Sequence, residues 1–294
     1  MTGVSVVIPT FNRRDRVSRA ILSVLSQTFG DYEIIVVDDG SVDGTSEEMS
    51  GFKNNIRYIK NSETRGVSAA RNTGIRASNF ELIAFLDSDD HWMPEKLETQ
   101  VKFFMDNTDA VACQTEELWI RRGVRVNPGK KHLKPSGDIF RQSLKLCLVS
   151  PSAVMLKRSL LKEVGLFDEE LPVCEDYDLW LRIGCRYKIH LIEKKLVVKE
   201  GGARDQLSAQ YKGMDRFRIK SMMKLLNSGE LRGDQIEAVQ RELEIKCRIY
   251  GEGCIKRGRK EEGEYYLRLP DTGNLSDSWD NRNRNRDRNR KRIK

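Results

Sequence analysis

The chain has 294 residues, with 52 Lys and Arg against 44 Asp and Glu, and a net charge of +8. This length is sufficient for a large buried core and one or two domains. No apolar run approaches the roughly 20 residues of a membrane span, and the first residues lack a signal-peptide pattern, so we expect a cytoplasmic protein.

The excess positive charge lies in one short segment. Residues 281–294 carry six Arg and two Lys against one Asp, or +7, so the rest of the chain is close to neutral. A basic, nucleic-acid-binding body is therefore not indicated. We expect residues 271–294 to be a disordered basic tail because their complexity is low and their charges repel one another.

This basic tail has more than one interpretation. It could attract anionic lipid head groups and bring the chain to the inner face of the cell membrane. It could equally be a solubilising end with no partner. RNA binding is less favoured because the repeated Arg and Asn residues include no aromatic side chain for base stacking.

The first hundred residues alternate buried-type apolar runs with helical patterns. Apolar runs of this length without alternation are typical of strands covered on both faces. Their order favours a mostly parallel, Rossmann-like sheet in a three-layer α/β/α sandwich. The predicted strands are 4–8, 33–37, 56–60 and 82–86, with helices between them and a further helix over 94–107.

The later part of the chain is predicted in less detail. Strands over 110–120 and 153–156 and helices over 139–148 and 159–164 precede an acidic segment that ends near Arg182. Beyond Gly202 the pattern changes to long charged helices over 208–228 and 234–258. We therefore expect a domain over 1–205, with a nucleotide-binding half of about 1–107 and an acceptor half of about 108–205, a helical appendage over 206–270, and the tail. The six cysteines show no metal-ligand spacing and fit reduced core thiols.

Polar and acidic residues follow several of the predicted strands. The carboxyl ends of parallel strands meet at one edge of a sheet, where ligands bind in open α/β folds. Three of these segments are Pro9-Thr10-Phe11-Asn12, Asp38-Asp39-Gly40-Ser41 and Asp87-Ser88-Asp89-Asp90. An aromatic ring, a carboxylate pair and an acidic turn together suit a nucleoside diphosphate. Neither a P-loop nor a GxGxxG sequence is present to suggest another phosphate site.

The acidic turn after the fourth predicted strand indicates a cation site. Three carboxylates within four residues are costly unless a cation neutralises them. Asp87 and Asp89, two residues apart, can point into one crevice and bind an oxygen-preferring ion such as Mg²⁺ or Mn²⁺. The alternative is that the turn, through Asp90, caps the helix opened by Pro94.

Five segments in order resemble the family 2 inverting glycosyltransferases of the GT-A fold, of bacterial type. The resemblance extends over roughly residues 3–200. The segments are VVIPTFNR at 6–13, VVDDGS at 36–41, Gly66 with ARNTGI at 70–75, FLDSDD at 85–90 and EDYDLWLR at 175–182.

The resemblance implies a role for each segment. The base and phosphates of the donor would contact the first loop, one of the paired aspartates, Arg71 and the acidic turn. Asp176 would be the general base, with Glu175, Trp180 and Arg182 on the acceptor side. In full, the nucleotide-binding candidates are Pro9, Thr10, Phe11, Asp38, Asp39, Arg71, Asp87 and Ser88, and the metal ligands of the implied DxD motif are Asp87 and Asp89.

The activity implied is metal-dependent and inverting. A sugar would pass from a nucleotide diphosphate sugar, a UDP-sugar by preference, to a glycan or lipid-linked hydroxyl in cell-surface polysaccharide or lipopolysaccharide synthesis. A divalent ion would stabilise the departing phosphate, and a carboxylate would take the proton of the acceptor. The alternative is a nucleotide-sugar-binding or scaffold protein of the same fold without turnover.

Several structural interpretations stay open at this stage. Asp38-Asp39-Gly40 could be only a turn, Arg71 a surface helix residue, Glu175-Asp176 a helix cap, and Trp180 a core residue. One departure from the family is also visible. Many similar enzymes have a further His ligand where this chain has Ala203, Arg204 and Asp205, so Asp205 or water would have to substitute there.

Overall fold

The computed structural model of the chain describes residues 3–127, 129–202, 211 and 213–272. The chain divides into two units, Met1–Lys212 and Gly213–Lys294. Residues 273–294 of the predicted tail, residues 203–205 and the beginning of the helix predicted over 208–228 lie outside the described residues, whereas residues 271 and 272 are the end of the last helix. Within the described part, no helix is long and apolar enough to cross a membrane.

The first half of the sheet is parallel. Strand β1 lies between β2 and β4, with Val4 beside Tyr32 on one side and Leu82 on the other, and β3 continues the sheet beyond β2. The connections are helical, as the alternating pattern predicted. These elements are β1 Val4–Thr10, α1 Arg14–Leu25, β2 Tyr32–Asp38, α2 Thr45–Ser50, β3 Arg57–Lys60, α3 Val67–Ala77 and β4 Leu82–Phe85.

Both faces of this sheet are covered, which explains its continuous apolar runs. Val4, Val6 and Ile8 of β1 pack on the face that α1 covers, and Val7 packs on the other face. Helix α3 lies very close to the sheet there. A Cβ added at Gly74 would come within 2.3 Å of the Val7 side chain, so this close approach requires a glycine at that position.

The second half of the sheet mixes directions. Strand β8 is antiparallel to both β4 and β6, β9 is parallel to β6, and β5 is antiparallel to β9. The order is β3-β2-β1-β4-β8-β6-β9-β5, with β7 paired to β6. The elements are β5 His91–Trp92, α4 Lys96–Asp106, β6 Ala112–Arg121, β7 Val124–Val126, α5 Phe140–Lys145, β8 Val154–Lys157, α6 Arg158–Val164, α7 Glu175–Gly184 and β9 His190–Gly201.

The second unit consists of helices in its described part: α8 Asp215–Leu226, α9 Gly233–Lys256 and α10 Lys260–Thr272. Helix α9 has a buried apolar stripe formed by Val239, Leu243, Cys247, Tyr250 and Cys254. The cysteines are free thiols and mostly buried, as their spacing suggested.

Candidate active site

The loop after β1 places one aromatic ring in solvent beside buried polar groups. Pro9 and Thr10 are buried, whereas Phe11 is 42% exposed. The Thr10 hydroxyl has no hydrogen-bond partner among the described residues. Asn12, at φ 49°, holds the loop to the neighbouring strand end, since its backbone N–H donates to Ser41 Oγ at 2.8 Å.

The paired aspartates after β2 are both buried and have structural partners. Asp38 accepts from the Ser41 N–H at 2.7 Å and from the Tyr58 hydroxyl at 2.6 Å. Asp39 accepts from the backbone N–H groups of Arg65 and Gly66, the latter at 2.7 Å. Both carboxylates therefore hold the loops around the sheet edge, and their contact with a nucleotide stays a prediction.

The acidic turn after β4 does not cap a helix. Helix α4 begins at Lys96 without a side-chain cap, so the capping alternative is wrong. Asp90 instead accepts from Ser152 Oγ at 2.6 Å and from the Glu200 N–H at 3.0 Å. Burial raises the pKa of Asp90 to about 8, although Lys199 opposes that rise.

Asp87 and Asp89 remain partly exposed within this turn, while Ser88 is buried. Each aspartate faces an arginine. Asp87 Oδ1 lies 2.7 Å from an Arg71 nitrogen, and Asp89 Oδ2 lies 3.4 Å from an Arg13 nitrogen. The turn therefore presents two carboxylates whose charges are balanced by guanidinium groups of the same chain.

Arg71 joins the two halves of the site. Its side chain is 4% exposed and contacts Glu175 Oε1 at 2.6 Å as well as Asp87. The interpretation of Arg71 as a surface helix residue is therefore wrong. Burial opposes its charge, but Asp87 and Glu175 outweigh this effect and raise the pKa of Arg71. Burial raises the pKa of Glu175 to about 7, although Arg71 lowers it.

Asp176 follows Glu175 in the first turn of α7, where the helix dipole favours an anion. Its side chain is only partly buried. The Cys147 thiol lies 3.4 Å from Asp176 Oδ2. Burial and the nearby Asp176 charge raise the pKa of Cys147, so the thiol stays protonated as a donor. Glu175 and Asp176 do not cap α7, whose N-cap residue is Cys174.

Lys199 on β9 is a site residue that the sequence analysis missed. Its ammonium group contacts Ser150 Oγ at 2.9 Å. Burial opposes its charge, but four carboxylates overcome this and raise the pKa of Lys199: Glu117, Asp90, Asp87 and Asp176. The lysine thus provides positive charge to the turn after β4 and to the start of α7 at once.

Two predicted acceptor-side residues have packing roles instead. Trp180 is buried and packs edge-on against Phe167, with ring centroids 6.3 Å apart. Arg182 donates to the carbonyl oxygens of Val164 and Leu166 and to Asp178. Trp180 therefore packs in the core, as one of its two interpretations predicted, and the contact of either side chain with an acceptor stays a prediction.

The residues present fit a divalent ion that also binds substrate. Among the described residues, no three His, Cys, Asp or Glu side chains are grouped to hold an ion by themselves. Mg²⁺ commonly takes one or two carboxylates and completes its shell with phosphate oxygens and water. The partly exposed Asp87 and Asp89 supply that number. Ala203, Arg204 and Asp205, where a further ligand was considered, lie outside the described residues.

Comparison with protein families and curated proteins gives a consistent result. The model of glycosyl transferase family 2 matches residues 5–165. An uncharacterized glycosyltransferase of Rickettsia felis is 36% identical over 203 residues, which are 66% of this chain and 32% of that protein. The glucosyltransferase WfgD of Escherichia coli, named for UDP-Glc and α-D-GlcNAc-diphosphoundecaprenol, is 34% identical over 61% of this chain and 69% of its own. The chain thus spans about a third of the length of the Rickettsia relative.

Solved structures show the same fold at low identity. S. aureus TarS in complex with UDP-GlcNAc superposes with a TM-score of 0.67 at 16% identity, covering 93% of each chain. The mannosyltransferase PcManGT of Pyrobaculum calidifontis, in complex with GDP-Man and Mn²⁺, gives a TM-score of 0.63 at 16% identity over 94% of this chain and 88% of its own. These are GT-A-type glycosyltransferase structures, and the predicted fold class is confirmed.

Proposed function

Because the chain belongs to glycosyl transferase family 2, we propose that it is an inverting, metal-dependent glycosyltransferase. Its donor is a UDP-sugar and its acceptor a hydroxyl group of a glycan or lipid-linked sugar, in cell-surface polysaccharide synthesis. The Escherichia coli relative, whose name specifies a diphosphoundecaprenol acceptor, supports this acceptor class. The TarS and PcManGT complexes support a nucleotide-sugar donor.

One observation carries the proposal. The buried Arg71 guanidinium contacts Asp87 at 2.7 Å and Glu175 at 2.6 Å. It therefore fixes the proposed donor side of the site, after β4, against the start of α7, where Asp176 lies. A transfer reaction needs this juxtaposition, because the leaving group and the general base act on opposite sides of the reacting carbon.

The chain's own residues divide the chemistry between them. Asp87 and Asp89 would hold a Mg²⁺ or Mn²⁺ ion, which supplies Lewis-acid stabilisation of the leaving diphosphate when bound. Phe11 offers an exposed ring for stacking on the base. Asp176 would take the proton of the acceptor hydroxyl as attack proceeds. A single displacement of this kind inverts the anomeric carbon and needs no protein nucleophile.

Release of UDP from UDP-sugars, measured with candidate acceptors and Mg²⁺ or Mn²⁺, tests the activity. Asp176→Asn should lose about 10²–10⁴-fold in turnover, the range usual for a general base. It should keep the thermal stabilisation that UDP and metal give to the folded state. Asp89→Ala should weaken that metal-dependent stabilisation itself. Glu170→Gln is the matched control, because it removes an exposed carboxylate from the loop before α7. It should retain both turnover and the metal-dependent stabilisation.

The second candidate is a nucleotide-sugar-binding protein of the same fold without turnover. It predicts metal-dependent stabilisation by UDP but no UDP release with any acceptor. Unchanged turnover in Asp176→Asn would remove this residue from the base role. Absence of any stabilisation by nucleotides with metal would contradict both candidates.

A further inference from the structure

The β6–β7 hairpin and the loop after it form a cationic surface without internal compensation. Residues 118–137 include six Lys and Arg and no Asp or Glu. Five of these cations are exposed and have no ion-pair partner among the described residues: Arg121, Arg122, Arg125, Lys130 and Lys131. Most arginines around the acidic turn and α7, by contrast, contact a carboxylate.

Two large apolar side chains accompany these charges. Val124, at the tip of the hairpin, is 65% exposed, and Leu133, in the loop, is 64% exposed. Exposed aliphatic side chains surrounded by basic residues are the combination that binds the interfacial region of a lipid bilayer. A site for a soluble anion would need only the basic side chains and not the exposed Val124 and Leu133.

The loop and the hairpin share one face of β6. Lys134 of the loop contacts Glu117 at 3.1 Å, and the His132 ring lies 5.2 Å from the Trp119 ring. Glu117, Trp119 and Arg121 alternate along the strand and so point to the same side. The loop therefore runs along this face from the hairpin toward Glu117, so Lys130 and Lys131, which precede His132, lie toward the same end as Arg121.

This surface begins next to the proposed active site. Trp119 pairs with Lys199 on β9, and Arg121 pairs with Gly201. Two residues along a strand correspond to roughly 7 Å. Lys199 is the residue whose charge reaches Asp87 and Asp176, so the hairpin extends outward from the acceptor half of the site.

We propose that the hairpin surface, defined as Arg121, Arg122, Val124, Arg125, Lys130, Lys131 and Leu133, binds an anionic phospholipid membrane. The charges would contact the lipid phosphates, and Val124 and Leu133 would enter the interface. This contact holds the mouth of the site close to the bilayer. Only its biological purpose, access to a lipid-linked acceptor, rests on the proposed function.

Vesicle sedimentation of the full chain tests the proposal without any donor or acceptor. The protein should bind vesicles of phosphatidylcholine with phosphatidylglycerol and not vesicles of phosphatidylcholine alone. Each basic residue near such a surface contributes about fivefold to partitioning. The variant Arg122→Glu/Arg125→Glu/Lys130→Glu/Lys131→Glu removes four of these contributions and should therefore bind roughly 10²–10³-fold more weakly, and salt should weaken binding of the wild type.

The matched control makes the same charge change elsewhere. Lys53→Glu/Lys188→Glu/Lys194→Glu/Lys195→Glu replaces four exposed lysines that have no ion-pair partner among the described residues. It should keep near-wild-type binding. An equal loss in both variants, or in neither, would overturn the proposal, because net charge or another segment would then explain the binding.

Fluorescence of the Val124→Trp variant provides a second measurement. Its emission should shift to shorter wavelength with anionic vesicles, since the indole enters the interface, and should not shift with neutral ones. No shift would contradict insertion of the hairpin. If the hairpin variant instead loses binding of soluble inorganic pyrophosphate while the wild type never sediments with vesicles, the surface is an anion site and the membrane proposal fails. UDP release with a soluble acceptor is read separately and reports on the proposed function alone.

Discussion

Replacing Arg71 with methionine should destabilise the first unit, because Glu175 then becomes a buried carboxylate without its partner. Removing one side of a buried ion pair costs about 3–5 kcal/mol. Asp87, the other partner, is 27% exposed and is screened by solvent, so it adds little. We expect about 3 kcal/mol above neutral pH, which at a urea m-value of about 3 kcal/mol/M lowers the unfolding midpoint by about 1 M.

The pH dependence of this loss has a definite sign. Burial raises the pKa of Glu175 to about 7 from an ordinary 4.5, with Arg71 opposing the rise. When the pKa of a carboxyl group is higher in the folded than in the unfolded state, the protein becomes less stable as pH rises from the unfolded-state pKa to the folded-state pKa. That loss ends near pH 7 in the wild type but continues to higher pH without Arg71. The difference between the two proteins should therefore grow as pH rises through 7.

Urea unfolding followed by tryptophan fluorescence measures both effects. Adding Glu175→Gln to Arg71→Met should recover much of the lost stability, because replacing both members of a buried pair is close to neutral. Arg76→Met, which removes a 58% exposed arginine from the same helix, should change stability by less than about 0.5 kcal/mol. The reasoning is refuted if Arg71→Met costs less than about 1 kcal/mol at pH 8, or if the second substitution recovers nothing.

Lys199→Met should destabilise the first unit by about 3 kcal/mol in urea unfolding, because the buried carboxylates that face Lys199, Glu117 and Asp90 among them, lose a cation, and Lys199→Arg should recover most of that loss; an unchanged unfolding midpoint would contradict this role. Burial lowers the pKa of Lys96 to about 7 from 10.5, so wild-type stability should rise between those pH values. Lys96→Met should add about 1–3 kcal/mol at pH 6 in thermal unfolding, and a destabilised variant would count against this interpretation. Phe11→Ala should weaken UDP binding about tenfold if its exposed ring stacks on the base, whereas an equal thermal shift would exclude stacking.

The first half of the fold could be predicted because each of its central strands is covered on both faces. That burial produces continuous apolar runs, which end where the chain reaches the site. Strand β9 gave no such signal. Its apolar residues are interrupted by Glu193, Lys194 and Lys195, which are exposed, and its pairing with β6 shifts register around Glu116. Lys199 was therefore missed together with its strand.

The surroundings of Asp176 were harder to predict for a different reason. Helix α7 is buried on almost every side, since Glu175, Tyr177, Leu179 and Trp180 are all covered. Helical periodicity separates residues only when one face of the helix meets solvent. Periodicity therefore gave no means of distinguishing a residue on the acceptor side from one that packs in the core, and both interpretations of Trp180 stayed open.

The structure also shows why motifs reveal only half of such a site. The carboxylates after β4 and at the start of α7 come in short contiguous segments, so the sequence displays them, as it does Arg71, whereas Glu117, Lys134 and Lys199 come from elements that carry no motif. The carboxylates still outnumber these cations, and burial raises the pKa of Asp90 and Glu175 to about 8 and about 7. A bound diphosphate would add further negative charge, so a donor complex needs more positive charge than these side chains supply, which is the physical argument for a divalent ion. The groups concerned are Asp87, Asp89, Asp90, Glu117, Glu175 and Asp176, facing Arg13, Arg71, Lys134 and Lys199.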